Sequence, residues 1–369
     1  MYMDELNVED ILTDFNKTPE EIMPTPVPEI DIPTLHKRLQ GWTKNCRDLL
    51  LDLRVMDFSA DDEDMLLTAQ EKAYYDRPLY FKADPQSPRD PKIILAQKQF
   101  CKFLGVPHSF FMKNRPTLKM NIVRTWQSGL NAEENKAQCI ARIRETDDHS
   151  IIRAMIPVDV TPLANHELID IIMQNVGDRF DVEFATGDER DDLVLHVRFL
   201  LKDEFTIGDC PVCLGFSLIA SELGASPLIV EVLLHDKSSK TSYICTYGAD
   251  SFFRSKYEGI QQSEVKEVFT KLLSRIHEEL EEITVRVVSR SGETIDPRAE
   301  CVIFNRINGL NSKFKKAIFH EVSESEESIT NPWDFARHAC LIAKDYDTVK
   351  RLGIERAAGK YLNLVFGKN

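Results

Sequence analysis

The sequence lacks the long hydrophobic runs that mark membrane proteins. No stretch of its 369 residues approaches the roughly 18 consecutive apolar residues that span a bilayer. The first residues also lack the order of charged, apolar and small residues that forms an export signal. These absences argue against a membrane partner, and they predict a cytoplasmic protein.

The sequence also lacks the short motifs that place catalytic groups or cofactors. It contains no phosphate-binding loop, no His-Glu-x-x-His, no Gly-x-Ser-x-Gly and no dinucleotide-binding fingerprint. The one tight cluster of a histidine with carboxylates, Asp147, Asp148 and His149, falls between two predicted strands, where a polar hairpin loop is the more common interpretation. We therefore predict no catalytic residue and no cofactor, and we favour a protein without enzymatic activity.

Clustered cysteines are missing as well, although the chain has eight. Only Cys210 and Cys213 lie close together, and one such pair supplies at most half of a tetrahedral zinc site. The pair precedes a predicted strand, whereas a redox-active pair would open a helix after a strand. Buried, reduced thiols are the favoured interpretation; a bound metal stays the alternative.

Acidic residues are common in the chain but absent from one segment. The formal net charge is -14, yet residues 91–132, here called the basic segment, contain no Asp or Glu and seven Lys or Arg. By contrast, residues 1–35 hold nine acids and only one base. A strongly basic segment within an acidic protein is typical of an interaction surface.

The basic segment combines cations with aromatic rings, as surfaces that bind single-stranded nucleic acid do. Cations neutralise phosphates, and flat rings stack on unpaired bases. The cations predicted to contact phosphates are Lys92, Lys98, Lys102, Lys113, Arg115, Lys119 and Arg124. The rings predicted to stack on bases are Phe110 and Phe111, which fall in the connection between two predicted helices. The alternative is that these bases merely form a solvated face.

The two predicted helices of the basic segment are amphipathic. Their apolar residues recur at steps of three and four. The first helix is predicted to bury Ile93, Ala96, Phe100, Phe103 and Leu104. The second begins around Pro116 and is predicted to bury Leu118, Ile122 and Trp126.

Residues 1–33 form an acidic, proline-containing tail that cannot bury enough surface to fold alone. A solubilising, disordered tail is the simplest interpretation. The alternative is a docking peptide that binds a partner protein, or that covers the basic segment until nucleic acid displaces it.

The remaining pattern predicts an α+β fold with a central, mainly antiparallel sheet flanked by helices. Residues 34–250 form its core, which starts with an amphipathic helix over 34–56 and contains a hairpin of residues 180–184 with 193–199. Residues 251–369 form a helical region. Its helices are predicted at 263–288, 297–306, 311–321, 331–345 and 347–366.

Several segments, taken in order, resemble a known family. They are Phe103-Leu-Gly-Val-Pro-His-Ser-Phe-Phe111, Arg153-Ala-Met-Ile-Pro-Val-Asp159, Leu214-Gly-Phe-Ser-Leu-Ile-Ala-Ser-Glu-Leu-Gly224, Ile244-Cys-Thr-Tyr-Gly248 and Trp333. Together they resemble the phage/plasmid-like proteins catalogued as domain of unknown function 932, over about residues 50 to 366. The family has Asn-Ser-Glu and Cys-x-Asn-Gly where this chain has Ala220-Ser-Glu222 and Cys245-Thr-Tyr-Gly248. The resemblance implies a gene of a prokaryotic virus or mobile element, whose product acts in the host cytoplasm.

These observations predict a protein that binds single-stranded nucleic acid, with DNA favoured over RNA. A recombination or annealing factor that assembles as a homo-oligomer fits both the basic segment and the family resemblance. The principal alternative is a non-enzymatic host-takeover or anti-defence protein, in which the acidic tail and exposed apolar residues bind a host protein. A hydrolase or nuclease would need clustered carboxylates or metal ligands that the sequence does not reveal.

Overall fold

The protein has the predicted α+β class, as a computed structural model of the chain shows. The described residues are 31–60, 65–69, 77–81, 91–129, 138–147, 149–160, 163–176, 180–184, 194–245, 252–255, 293–306, 312–325, 328–345 and 348–366, with single positions between 263 and 285. The predicted acidic tail, apart from its last few residues, and most of the helix predicted over 263–288 lie outside the described residues.

The described strands form two sheets rather than the single central sheet that the sequence predicts. The first sheet has the order β1-β5-β6-β4-β3-β2 and is antiparallel except for the parallel pair β4 and β6. Its strands are β1 (Cys46–Asp52), β2 (Met56–Ala60), β3 (Met65–Ala69), β4 (Leu79–Tyr80), β5 (Gln138–Glu145) and β6 (Ser150–Pro157). The amide of Thr146 donates to the carbonyl of His149 over 2.9 Å, which confirms a hairpin loop at His149.

The second sheet is antiparallel throughout its described pairs, in the order β11-β10-β9-β8-β7, with β12 also paired to β10. Its strands are β7 (Phe180–Phe184), β8 (Leu195–Ile207), β9 (Cys210–Ala220), β10 (Leu228–Asp236), β11 (Thr241–Ile244) and β12 (Phe252–Ser255). Val182 pairs with Phe199, which confirms the predicted hairpin. Strands β7 to β11 match predicted strand segments, whereas β12 lies at the start of the region 251–369 that the sequence predicts to be helical. Neither β12 nor the division into two sheets is visible in the sequence, because both depend on pairing between distant residues.

Helices surround both sheets in the described part of the chain. They are α1 (Ile32–Thr43), α2 (Pro91–Leu104), α3 (His108–Lys113), α4 (Pro116–Gly129), α5 (Asn165–Val176), α6 (Pro297–Arg306), α7 (Ser312–Glu324), α8 (Pro332–Leu341) and α9 (Thr348–Phe366). The last four confirm the predicted C-terminal helices, with ends that shift by a few residues. No helix among the described residues is both long enough and apolar enough to cross a bilayer.

The helix predicted over 34–56 is wrong in its second half. Helix α1 ends at Thr43, Asn45 has a left-handed backbone with φ 62°, and β1 begins at Cys46. Asn tolerates this conformation better than most residues, so it can end the helix and redirect the chain. Strand β1 then pairs with β5, with Leu49 opposite Ala141. The apolar spacing over 34–56 therefore runs through two different elements, and the long-range pairing of β1 decides where the helix ends.

The core is divided between the two sheets. Helices α2 to α4 pack on the first sheet, where Phe100 and Phe111 join an apolar cluster with Met155. The larger cluster surrounds the second sheet and includes Phe216 from β9 and Trp333 from α8. The basic segment therefore forms one outer layer of the first sheet.

Candidate functional site

Helix α2 presents its predicted apolar face to the first sheet. Ala96 and Phe100 are fully buried and Leu104 is 8% exposed, as the spacing predicts. The carboxamide of Gln99 lies on the same inner side and joins both sheets: its oxygen accepts from the amide of Met155 over 2.8 Å, and its nitrogen donates to the carbonyl of Leu223 over 3.0 Å. Helix α2 is thus held to β6 and to the turn that follows β9.

Helix α4 packs two of its three predicted apolar residues on the core of the first sheet, since Ile122 and Trp126 are partly buried against it. Leu118 is 42% exposed, whereas Lys119 and Val123 are buried.

The side chain of Gln127 holds α4 to the chain around β2, since its amide nitrogen donates to the carbonyls of Leu53 at 2.8 Å and Met56 at 2.9 Å. These two bonds satisfy one carbonyl group just before β2 and one at its first residue.

Most of the predicted cations lie at the surface of this helical layer. Lys102, Lys113, Arg115 and Arg124 are exposed, and Lys98 is half-buried. Lys92 lies in α2, but its side chain is outside the described part of the structure.

Three of the exposed cations stand apart from the ion pairs that the structure describes. Among the residues that the structure describes, the side chains of Lys113, Arg115 and Arg124 form no hydrogen bond or ion pair. Because the basic segment contains no acid, its own helices cannot neutralise these charges. The three side chains are therefore available to an external anion.

The two predicted stacking rings have opposite environments. The connection that contains them is the short helix α3, in which consecutive side chains point about 100° apart. Phe110 points outward and is 51% exposed, whereas Phe111 is fully buried, with its ring centroid 6.3 Å from that of Phe100. Phe111 cannot stack on a base while the core is intact, so only Phe110 remains as a stacking ring.

A second group of polar side chains, which the sequence interpretation missed, lies on one face of the second sheet. We call it the buried polar layer. Its members are His196, Arg198, Ser217, Glu231, His235 and Ser242 from the strands, with Glu355 and Arg356 from α9. All of them except Arg356 are at most 5% exposed.

Charge within the buried polar layer is paired. The guanidinium of Arg198 donates to Glu355 Oε2 at 2.6 Å and to Ser242 Oγ at 2.9 Å. Arg351 donates to the other oxygen of Glu355 at 2.9 Å, and Arg356 forms a two-pronged pair with Glu231. Each buried carboxylate therefore has a guanidinium partner, which offsets the desolvation of both charges.

The two histidines of this layer are neutral near pH 7. Burial, followed by the positive charge of Arg198, lowers the pKa of His235 to about 3 and the pKa of His196 well below its usual range. His196 Nε2 lies 2.9 Å from Ser217 Oγ, and His235 Nδ1 lies 2.9 Å from Ser242 Oγ. A neutral histidine beside a serine can act as a base beside a nucleophile. These side chains are buried, however, so a substrate cannot reach them. We therefore assign the two pairs to the fold rather than to catalysis.

The sequence of β8 contains a signal for this layer, but the signal predicts the wrong environment for its polar side chains. His196 and Arg198 alternate with Leu195 and Val197 along β8, which is typical of a strand with one solvated face. In the structure both faces are buried, because α9 covers the polar one. Alternation alone does not distinguish water from a polar cover.

A further buried ion pair lies near the junction of the two sheets. Arg153 of β6 and Glu222, in the turn after β9, are each 2% exposed, and their charged atoms are 3.3 Å apart. Arg142 of β5 forms a two-pronged pair with Asp48 and also donates to the Glu222 carbonyl. These contacts bring together two of the segments that carry the family resemblance, around Arg153 and around Glu222.

The close cysteine pair is buried and reduced, as predicted. Both thiols lie on β9, and residues three apart in a strand point to opposite faces. Cys210 accordingly packs in the larger core, and Cys213 packs on the polar side of the sheet. Nowhere in the described ranges do three or more His, Cys, Asp or Glu side chains converge in a way that could hold a metal.

No protein-family model matches the chain, and neither a curated protein nor a solved structure matches it. The likeness to the phage/plasmid-like family therefore stays a prediction.

Proposed function

We propose that this protein binds single-stranded nucleic acid through the helical layer formed by α2, α3 and α4. The observation that supports the proposal most directly is the set of exposed, unpartnered cations Lys113, Arg115 and Arg124 on a segment without acids. Exposed cations bind phosphates by releasing the counterions of the nucleic acid, and unpartnered ones need not first break an internal ion pair.

The position of Phe110 supports a single strand over a duplex. Phe110 and Lys113 are three residues apart on α3, so their side chains are neighbours on one side of that helix. An exposed ring stacks on a base that has no stacking partner of its own, while the adjacent ammonium contacts the backbone. We favour DNA, in line with a phage or mobile-element protein that resembles the family of domain of unknown function 932 and acts in the host cytoplasm during recombination or annealing.

The binding experiment compares fluorescence anisotropy of a labelled single-stranded DNA, a duplex and an RNA at about 50 mM and 200 mM salt. We expect the wild-type chain to bind the single strand most tightly, with affinity that falls as salt rises. The charge-reversal variant K113E/R115E/R124E should lose most of this affinity and should lower the salt slope by about three units, one for each phosphate contact.

A matched control reverses three exposed lysines elsewhere, K37E/K44E/K360E, and changes the net charge by the same amount. This control should bind nearly as well as the wild type. Equal affinities for the two triple variants, or binding that does not depend on salt, would contradict the proposal.

The alternative is that the same layer binds a host protein. Phe110 and Leu118 are 51% and 42% exposed, and large exposed apolar side chains are common in protein interfaces. A pull-down from nuclease-treated host lysate separates the two functions, because a direct protein partner survives digestion of the nucleic acid. Light scattering with and without single-stranded DNA tests the homo-oligomer that an annealing factor would form.

A further inference from the structure

The outer surface of the helical layer carries apolar side chains as well as cations. Phe110 and Leu118 are 51% and 42% exposed. Phe110 lies three residues before Lys113 on α3, so the two side chains are neighbours. The carbonyl of Arg115 accepts from the amide of Leu118 over 2.9 Å, which places these two residues in the same turn at the start of α4. A ligand that matches this surface therefore supplies both negative charge and apolar groups.

The acidic tail contains both kinds of group. Its residues 1–30 hold eight acids and one base, a balance of -7 that is half of the net charge of -14. The basic segment has the opposite balance of +7. The apolar residues interspersed among the first acids of the tail are Leu6, Ile11, Leu12 and Phe15. In charge and in apolar content, the acidic tail is thus complementary to the helical layer.

Other exposed cations are less available to the acidic tail, because the fold already pairs them. Arg47 lies 2.7 Å from a carboxylate oxygen of Glu145, and Lys271 lies 2.6 Å from one of Glu267. Binding the tail there would first require those pairs to break. The basic segment contains no acid that could compete in the same way.

The acidic tail is also long enough to reach the helical layer. It joins the described chain at Asp31, whose carboxylate accepts from the amide of Thr34 over 2.7 Å at the start of α1. An extended chain of 30 residues spans up to about 100 Å. A globular chain of 369 residues has a radius of gyration of only about 21 Å. Because the tail is covalently attached, even a weak contact with the layer acts at an effective concentration of about a millimolar.

We infer that the acidic tail docks on the outer surface of α3 and the start of α4 and competes there with the bound strand, an inference that rests on the proposed function. Its acids pair with Lys113 and Arg115, and its apolar residues cover Phe110 and Leu118. The tail and a phosphate backbone need the same cations, so they exclude each other. A strand that contacts several cations at once displaces the tail, whereas a short oligonucleotide does not.

The first test replaces four apolar residues of the tail by serine and keeps every acid, in the variant L6S/I11S/L12S/F15S. We expect this variant to bind single-stranded DNA about three- to tenfold more tightly than the wild type at low salt, because the competitor is released. Simple repulsion between the tail and DNA predicts no change, since the charge is the same. The control V302S/F319S/L364S alters exposed apolar residues of α6, α7 and α9 and should bind as the wild type does.

A second test needs no nucleic acid. A carbodiimide joins a lysine amine to a carboxylate in contact with it, and mass spectrometry identifies the two residues. In the wild-type chain we expect a product between Lys113 and an acid of residues 1–30, which the serine variant and an excess of single-stranded DNA should each largely abolish. Lys266 and Glu167, whose charged atoms are 3.2 Å apart, supply the positive control.

The outcomes separate this inference from the proposed function. If the wild type binds DNA with the expected salt dependence but the serine variant binds equally tightly, only the inference fails. It also fails if Lys266 is joined to Glu167 while Lys113 is not joined to the tail. If no oligonucleotide binds, the proposed function and the competition both fail, and a Lys113 product would show docking alone. If the serine variant does not fold, the wild type decides: a Lys113 product that is equally abundant with and without DNA overturns the inference.

Discussion

The basic segment and the buried polar layer hold similar side chains and use them in opposite ways. In the buried polar layer each carboxylate meets a guanidinium, as Glu355 meets Arg198 and Glu231 meets Arg356. In the basic segment Lys113 and Arg115 face solvent without a carboxylate from the described residues. Pairing, more than charge itself, therefore separates a cation that stabilises the fold from one that is available for binding.

The largest effect is expected from breaking the pairing in the buried polar layer. The variant E355Q keeps the shape of the side chain but leaves Arg198 buried without a counter-charge, and we expect it to reduce the free energy of unfolding by about 3–5 kcal/mol. Urea denaturation measures this loss. The matched surface variant K271Q breaks the exposed pair with Glu267 and should leave the unfolding midpoint unchanged.

A recovery experiment sharpens this prediction. The double variant R198M/E355L replaces both charges by apolar groups, and it should regain much of the stability that E355Q loses. If E355Q unfolds at the wild-type urea midpoint, the pair is not what stabilises the contact between α9 and the second sheet.

The neighbouring phenylalanines offer the same comparison within one helix. We expect F111A to lose about 3–5 kcal/mol of stability, because Phe111 is fully buried against Phe100. F110A should unfold like the wild type but should weaken single-stranded DNA binding by about 1–3 kcal/mol, the usual contribution of one stacked base. Thermal unfolding and anisotropy, measured on both variants, give the two quantities. A binding loss in F111A that exceeds its unfolded fraction would contradict the assignment.

The most gradual effect is a dependence of the free energy of unfolding on pH, which comes from the two buried histidines. Their pKa values are lower in the folded protein than in the unfolded chain, so below about pH 6.5 the unfolded chain binds more protons. Stability is therefore fully present above pH 6.5 and falls toward the folded pKa of His235, about 3. The slope should reach about 1.4 kcal/mol per pH unit for each histidine.

Urea titrations between pH 5 and pH 7 measure this slope, because few carboxylates titrate in that interval. The variant H235N removes one titrating ring and should flatten the curve. An unchanged slope in H235N would mean that another group is responsible.

Local patterns were enough to predict much of the fold. The helices at 297–306 and 348–366 and strands β7 to β11 follow from apolar spacing and turn residues, because those signals act over a few neighbours. The C-terminal end of α1 could not be predicted this way, because it depends on the pairing of β1 with β5. The bonds that tie α4 through Gln127 to Leu53 and Met56 join residues more than seventy positions apart, and the local pattern does not show them either.

The candidate site was predictable to a similar extent. The absence of acids from residues 91–132 predicted the exposed Lys113, Arg115 and Arg124, but it could not show that Lys119 is buried, because burial depends on how α4 packs. To predict the opposite environments of Phe110 and Phe111, one would have to know that the connection between α2 and α4 is itself helical. The buried polar layer was hidden because the cover for β8 comes from α9, more than a hundred residues later in the chain.

The carboxamide of Gln99 has a mechanical consequence for the outer helices. This group forms hydrogen bonds both to β6 and to the turn between β9 and β10. In that turn Gly224, next to the carboxamide, adopts φ 72°. A shift of α2 would break a hydrogen bond to the first sheet and one to the turn after β9 at the same time, which opposes such a shift. If the helical layer binds a flexible single strand, as proposed, the conformational entropy lost on binding would therefore come mainly from the strand.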